Sequence, residues 1–383
     1  MIEPPKRNVI FNKPYVDDTV VEYIRRVIHS GKLSGDGIVC HEVEVELQQL
    51  FNIKHVLLTT SCTHALELSM TLLDLKPGDE VILPSFTFVS TANAILKAGG
   101  VPVFCEINDR TFTMDPADVE RKITPKTKAI FPVHYAGIAA EMDELMELAR
   151  VHRLLVVEDA AQGVNAKYKG RYLGGIGIMG AYSFHDTKNY VSGEGGALVT
   201  NNEQYARRAE IVREKGTNRA NFIRGEVDKY TWVDTGSSYV LSDILAAVLK
   251  CQLEQIERIQ IRREQIHKLY VKGLQPLADK GMLRLPIIPE YCQSNYHIFC
   301  VLLLTEEERN HAIAELKERG VRATFHYVPL HSSPYAIKNL GTKDVHLPVT
   351  DRVAGTLLRL PIYPHLSNED VEYVVQVLYD VLK

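Results

Sequence analysis

Short apolar runs that alternate with stretches of helical spacing constrain this chain more than any other feature. HVLLT (55–59), EVILP (80–84), VPVFCEI (101–107), AIFPV (129–133) and LLVVED (154–159) read as buried strands. Helical patterns lie before and between them. Val20, Val21, Ile24, Val27 and Ile28 share a helix face that Gly31 can end, a helix opens at Ser61, and another covers 139–151. Strands separated by helices predict an α/β architecture, a mostly parallel sheet with helices on both faces.

The pattern changes after residue 250. Leu249, Leu253, Ile256, Ile259, Ile266 and Tyr270 predict one long helix that begins behind the N-cap signal Ser242-Asp243 and carries the chain out of the first domain. IFCVLLL (298–304) and VRATFHYV (321–328) read as strands. Between them Thr305-x-x-Glu308 is a capping box whose helix Gly320 can close. Ser367-x-x-Asp370 opens a last helix with Val371, Val374, Val375, Leu378 and Val381 on one face. No internal repeat is visible. A chain of 383 residues has the length of two domains at roughly 150 residues each. The division falls within ten residues of 250: a large domain over 1–250, a smaller α+β domain over 251–383, and first residues free to pack on the smaller one.

Charge and motif content exclude several functions. Lys+Arg 44 against Asp+Glu 48 gives a formal charge of −4, with no basic excess to attract a nucleic-acid backbone. The longest apolar run, Ile298 to Leu304, is far too short to cross a membrane. The N-terminus lacks the apolar core of a signal peptide, and the six cysteines show no C-x-x-C and no disulfide framework. A soluble protein of a reducing compartment, the cytoplasm, is expected. Gly175, Gly177 and Gly180 spell G-x-G-x-x-G, but after a hairpin-like KYKGRYLG rather than between a strand and a helix, so they read as flexible loop glycines. Fourteen histidines include no H-E-x-x-H and no zinc-spaced pair; His326 and His331 flank Pro329. A phosphate-binding P-loop and a G-x-S-x-G elbow are also missing.

Four segments do fit one cofactor, pyridoxal 5'-phosphate. LLVVEDAAQ ends a strand in Glu158-Asp159, where a carboxylate can pair with a protonated pyridine nitrogen. Taken alone, Asp159 reads as a helix cap rather than as such a partner. Lys188 lies in SFHDTKNYVSGEGGALV, a turn rich in small residues between strand-like segments, where a lysine of lowered pKa can form a Schiff base. Ser61-Cys62-Thr63 stands at a helix start, so it is either an ordinary cap or a phosphate cup. Phe86 and Phe88 follow another strand end, placed for core packing or for stacking on a flat ring. The order of the set, each member at a strand end, favours the cofactor.

These motifs, together with SGKLSGDG (30–37), VHYAG (133–137), REKGTNR (213–219), DKYTWVDTGSSYVLSD, FHYVPLH (325–331) and LRLPIYPHLS, carry a resemblance over nearly the whole chain. The sequence resembles the DegT/DnrJ/EryC1/StrS aminotransferases, which act on nucleotide-linked keto-sugars with the aspartate-aminotransferase fold (fold type I). Within them it is most similar to the branch that makes dTDP-4-amino-4,6-dideoxygalactose. The resemblance implies Lys188 as the Schiff-base lysine, Asp159 as partner of the pyridine nitrogen, Gln162 on the ring hydroxyl, Phe88 stacked on the ring, and Cys62, Thr63 and Ser183 on the phosphate. It implies a homodimer with shared active sites. The family's G-Y-N-Y strand reaches the neighbouring subunit's phosphate, and here Gly236-Ser237-Ser238-Tyr239 places Ser238 at the Asn position.

The implied reaction takes nitrogen from L-glutamate and passes it to dTDP-4-dehydro-6-deoxy-D-glucose, with Lys188 as general base and acid. Amination at C3, or with other stereochemistry at C4, is the alternative. Related dehydratases carry His in place of the lysine, which argues against that chemistry here. A regulator that keeps the fold without turnover is the remaining rival. Residues 216–232 concentrate Arg219, Arg224, Lys229, Tyr230 and Trp232, cations and aromatics suited to a sugar diphosphate and its base. A solvated loop or a subunit contact is the other reading of this segment. Lys32 and His331 complete the substrate candidates.

Overall fold

The computed structural model describes residues 7–383. All five expected strands form: β1 (His55–Thr59), β2 (Glu80–Pro84), β3 (Val101–Cys105), β4 (Thr127–Ile130) and β5 (Leu155–Asp159). A short hairpin follows, β6 (Lys167–Tyr168) and β7 (Arg171–Tyr172), then β8 (Met179–Ser183) and β9 (Gly196–Thr200). Seven of these make one sheet in the order β1-β9-β8-β5-β4-β2-β3. Neighbours from β8 to β3 run parallel, and β9 runs antiparallel to both β1 and β8.

Successive strand residues feed two different cores. Leu58, Ile82, Ile130, Val156 and Ala197 face one side with Val43 and Leu47 of the helix Ile38–Phe51. Leu57, Val81, Ala129, Val157 and Leu198 face the other with Leu66 and Met70 of the helix Cys62–Thr71. Burial on both faces is why these strands read as continuous apolar runs without alternation.

In the C-terminal part β10 (Cys292–Gln293) joins the β6–β7 hairpin, while β11 (Phe299–Leu302) pairs antiparallel with β12 (Leu357–Leu360). A third core forms here from Ile266, Tyr270, Phe299, Val301, Leu316, Val374 and Leu378. Val9 enters it, and its backbone bridges to Val321. A smaller cluster of Phe86 and Tyr135 with Cys300, Leu302 and Leu357 fills the seam between this part and the large sheet. Among the described residues no helix is long and apolar enough to cross a membrane. All six cysteines are unpaired and buried.

Two expectations are corrected. The long helix is two helices, Asp243–Glu254 and Ile256–Asp279, broken at Gln255 (φ −103°, ψ 10°). Leu249 and Leu253 before the break, with Ile256 and Ile259 just after it, serve the first core. Ile266, Tyr270 and Leu274 serve the third. The second helix therefore spans both cores, and the break at Gln255 lies within the part that serves the first. VRATFHYV is not a strand: it makes only the isolated bridges Val9↔Val321 and Thr324↔Arg359, because it leaves β12 to run across the end of the large sheet, where Leu330 N donates to Ser85 O.

Candidate active site

A cavity of about 520 Å³ opens at the carboxyl ends of the parallel strands. Its walls include Cys62, Thr63, Phe88, Asp159, Gln162, Ser183 and Lys188, so the residues read as cofactor contacts meet in one place, with Ser238 the exception.

The helix after β1 builds the anion cup. Ser61 caps it, its Oγ accepting from His64 N at 3.1 Å, and Ala65 N donates to Ser61 O. The amides of Cys62 and Thr63 have no protein acceptor among the described residues, which leaves two donors at a helix N-terminus for a bound anion. Thr63 Oγ1 lies 2.8 Å from Ser90 Oγ. Strand β9 approaches so closely that a Cβ on Gly196 would stand 2.5 Å from the Ser61 carbonyl carbon and nearer still to Cys62 N.

Asp159 ends β5 with its carboxylate buried. Thr91 Oγ1 donates to Oδ2 at 2.7 Å and Ala161 N to Oδ1 at 3.1 Å. Burial raises its pKa while the Thr91 bond opposes that, so a cation beside it restores the ionised form. A protonated pyridine nitrogen is such a cation. Lys188 sits in the β8–β9 connection, where Lys188 N donates to His185 O at 2.8 Å. Burial pushes its ammonium below the ordinary lysine range, against the pull of Cys62 and Asp159. A lysine that gives up its proton more readily is suited to act as a nucleophile and a base. Gln162 Oε1 accepts from Ala136 N at 2.7 Å, and its Nε2 donates to Tyr327 Oη at 2.7 Å. Phe88 is 57% exposed at the N-cap of its helix, leaving a ring face open to a ligand.

The glycines of the G-x-G-x-x-G stretch are packed, in contrast to the flexible loop expected of them. They wrap the Glu158 side chain, which is fully buried on the sheet beside Asp159. Gly174 N and His134 Nε2 donate to Oε2 at 2.8 and 2.9 Å; Ile176 N and Gly177 N donate to Oε1 at 2.7 and 2.6 Å. The loop thus holds a protein carboxylate where the motif elsewhere holds a phosphate.

Several cavity residues had no local signal. His297, His326, Tyr327 and Arg359 arrive from the C-terminal part. FHYVPLH and LRLPIYPHLS carry the last three, yet nothing in their spacing marks a site. His297 Nδ1 lies 2.9 Å from Asn189 Oδ1, and Asn189 Nδ2 donates to Asn295 O at 2.8 Å, tying the residue after Lys188 to the C-terminal part.

The remaining candidates lie outside the cavity walls of their own chain. Ser238 is exposed and bridged to Glu214. Lys32 is exposed and donates from Nζ to Asp36 O at 2.8 Å. Arg219 stands 4.0 Å from Glu214, and Arg224 is paired with Glu210 and Glu226 at 2.9 Å each. Lys229 and Tyr230 are exposed. His331 is buried, 3% exposed, with Nδ1 2.8 Å from Ser85 Oγ and Nε2 3.4 Å from Asp351.

Known proteins are similar to this chain over nearly their full length. SpsC, a spore coat polysaccharide biosynthesis protein of Bacillus subtilis, is 32% identical over 391 aligned positions, 100% of this chain and 99% of that protein. The aminotransferase TlmJ of Streptoalloteichus hindustanus superposes with a TM-score of 0.89 at 30% identity, covering 98% of this chain and 99% of that one. A protein of Streptococcus pneumoniae described as a sugar aminotransferase, solved in its PLP form, gives 0.91 at 27% identity over 98% and 99%. The free amides of the cup, the buried Asp159 and the depressed Lys188 fit pyridoxal phosphate. With residues 14–379 matching its model, the chain belongs to the DegT/DnrJ/EryC1/StrS aminotransferase family and works with pyridoxal 5'-phosphate.

Proposed function

We propose that this protein transfers the amino group of L-glutamate to dTDP-4-dehydro-6-deoxy-D-glucose, giving dTDP-4-amino-4,6-dideoxy-D-galactose and 2-oxoglutarate. The observation that carries the transfer is the pairing of Lys188 and Asp159 in one cavity with a free-amide cup. The bound cofactor supplies an electron sink for the carbanion at the amino acid's α-carbon. Asp159 keeps the ring nitrogen protonated. Lys188, its ammonium made easier to deprotonate by burial, would take the α-proton and return a proton to the cofactor's C4′. Gln162 orients the ring through the hydroxyl beside that carbon, and Phe88 covers a ring face.

The enzyme acts as a cytoplasmic homodimer in this reading, with residues 1–250 carrying the cofactor and 251–383 closing the substrate side. Ser238 and the segment 216–232 serve the neighbouring subunit's site. Their exposure outside their own cavity supports this, as does Trp232 at 77% exposed. Arg219, Arg224, Lys229, Tyr230 and Lys32 then face the sugar nucleotide across the dimer.

The test is product identification by NMR after incubating holoenzyme with L-glutamate and dTDP-4-dehydro-6-deoxy-D-glucose. The expected product carries an axial amine at C4. Failure to form 2-oxoglutarate with this or any keto-sugar nucleotide overturns the reading.

A further inference from the structure

Beside Lys188 the cavity holds a second nitrogen base that no step above uses. His297 is 6% exposed and lines the cavity wall. Its backbone is fixed by two buried side chains. Asn295 Nδ2 donates to Gln162 O and Val164 O at 2.8 Å each, while its Oδ1 accepts from His297 N at 3.1 Å. Arg263 donates to the carbonyls of Tyr296 and His297 at 3.1 and 2.7 Å. A Cβ on Gly137 would stand 1.9 Å from Asn295 Oδ1, so this junction has no room to shift.

The frame decides where the imidazole keeps its proton. Asn189 Nδ2 donates to Asn295 O, which can only accept, so Asn189 Oδ1 is the atom 2.9 Å from His297 Nδ1. An amide oxygen also only accepts, and Nδ1 therefore carries the hydrogen. A second proton is opposed by burial and by every charge that reaches the ring: Lys188, Arg263, Arg359 and protonated His326. The ring stays neutral, and Nε2 is a bare lone pair with no donor among the described residues. Lys188 is the complementary group. Its Nζ has no hydrogen-bond partner among the described residues, and its charge is felt at His297.

We propose that His297 is a positioning residue for Lys188, its Nε2 accepting a hydrogen bond from the amine once an amino donor has displaced Lys188 from the cofactor. The proposal rests on the transamination proposed above. The freed amine becomes an ammonium when it takes the α-proton, and a lone pair facing it aims the group and stabilises the charge it gains. The imidazole is the weaker base, so the proton stays on Lys188 and passes on to C4′. Asn189, next to Lys188 in the chain, thereby sets the tautomer of the group that aims Lys188.

Two measurements test this. Long-range proton–nitrogen NMR of holoenzyme with isotope-labelled histidine identifies His297 by its loss in His297→Asn. The hydrogen should sit on Nδ1 at every pH between about 5 and 8. A hydrogen on Nε2, or a ring that titrates in that range, overturns the proposal. Single-turnover absorbance then follows each half-reaction. In His297→Asn the shorter amide can keep the bond to Asn189 but offers no acceptor at the Nε2 position. Rates at saturating substrate should fall about 10- to 100-fold in both half-reactions, the size of one hydrogen bond to a charged group, with half-saturating concentrations within about twofold. An amine without its acceptor holds a proton less tightly. The acid limb of the sugar-nucleotide half-reaction, which begins with Lys188 free, should therefore move to lower pH. His297→Gln, whose Oε1 can stand in for Nε2, should recover part of both effects. A rate loss with an unmoved limb assigns His297 to packing and overturns the proposal. Loss confined to one half-reaction assigns Nε2 to that substrate and also overturns it. If the Asn variant folds poorly, Asn189→Leu, which frees the tautomer, should give the same pattern, and an unchanged rate and limb there overturns the proposal. Wild-type enzyme that reacts with no amino donor refutes transamination itself, an outcome separate from any effect of the variants.

Discussion

Replacing Glu158 by glutamine should unbalance the molecule although it changes no shape. The carboxylate accepts from four donors, two at each oxygen. His134 Nδ1 accepts from Ala140 N at 3.2 Å, so the imidazole proton sits on Nε2 and points at Glu158. In the Glu158→Gln variant one oxygen becomes an amide. In one orientation that amide faces His134 Nε2–H and Gly174 N–H. In the other it faces Ile176 N–H and Gly177 N–H. Either way two donors meet a donor, fully buried in the first orientation and half-buried in the second. Each donor left without an acceptor costs about 1–3 kcal/mol, and the two together about 2–6. The bonds that survive are weaker as well, because the acceptor has lost its charge. A central figure of about 4 kcal/mol is a large part of the 5–15 kcal/mol by which folded proteins are stable. The assay is urea unfolding followed by far-ultraviolet circular dichroism, where the midpoint should fall at unchanged slope. The loss should also reach the site, because His134 N donates to Asp159 O at 3.1 Å and holds the end of β5. A shift worth less than about 0.5 kcal/mol, the range of an ordinary surface substitution, would refute the account of the glycine loop.

Lys188→Ala should abolish both half-reactions while the protein folds and binds cofactor; glutamate-dependent turnover by the pure variant would remove Lys188 from its role. Asp159→Asn should keep measurable cofactor binding but slow the half-reactions by orders of magnitude, since the ring nitrogen loses its ionic partner, and near-normal rates would reduce Asp159 to a cap. Gly196→Ala pushes a methyl group into the backbone of Ser61 and Cys62, so cofactor titration should show weakened binding, and unchanged affinity would disprove the tight approach of β9 to the cup. His267 is buried against Tyr296 and Phe299, and burial lowers its imidazole to about 4. The unfolded chain takes up this proton near pH 6.5 and the folded chain only near 4, so His267 costs stability as pH falls through that window, at about 1.4 kcal/mol per pH unit. His267→Phe should flatten that part of the pH–stability profile in urea titrations, and an identical slope in both proteins would contradict the shift.

Much of this molecule was legible in residue order because the relevant interactions are local. The caps Ser61, Ser242, Thr305 and Ser367 accept from amides two or three residues ahead, so composition alone locates four helix starts. A strand buried on both faces must be apolar at every position, which made the parallel sheet readable. Strand ends then placed Asp159, the cup at Ser61–Thr63 and Phe88 at one edge of the sheet, and Lys188 on the same side between β8 and β9.

Tertiary packing alone decided the rest. The reversal of β9 comes from its pairing with both β1 and β8, strands distant in the chain. Gln255 breaks a helix whose periodicity continues unbroken, and the second helix passes from the first core at Ile256 and Ile259 to the third at Ile266 and Tyr270. The glycine loop closes on a carboxylate some twenty residues earlier, and His331 turns into the interior toward Ser85. Arg359 looks like one polar residue in LRLP until β12 carries it to a cavity built from the other end of the chain. In each case the deciding partner lies outside the reach of helical or strand periodicity. A side chain's spacing shows which face it occupies; only the folded contacts show what that face meets.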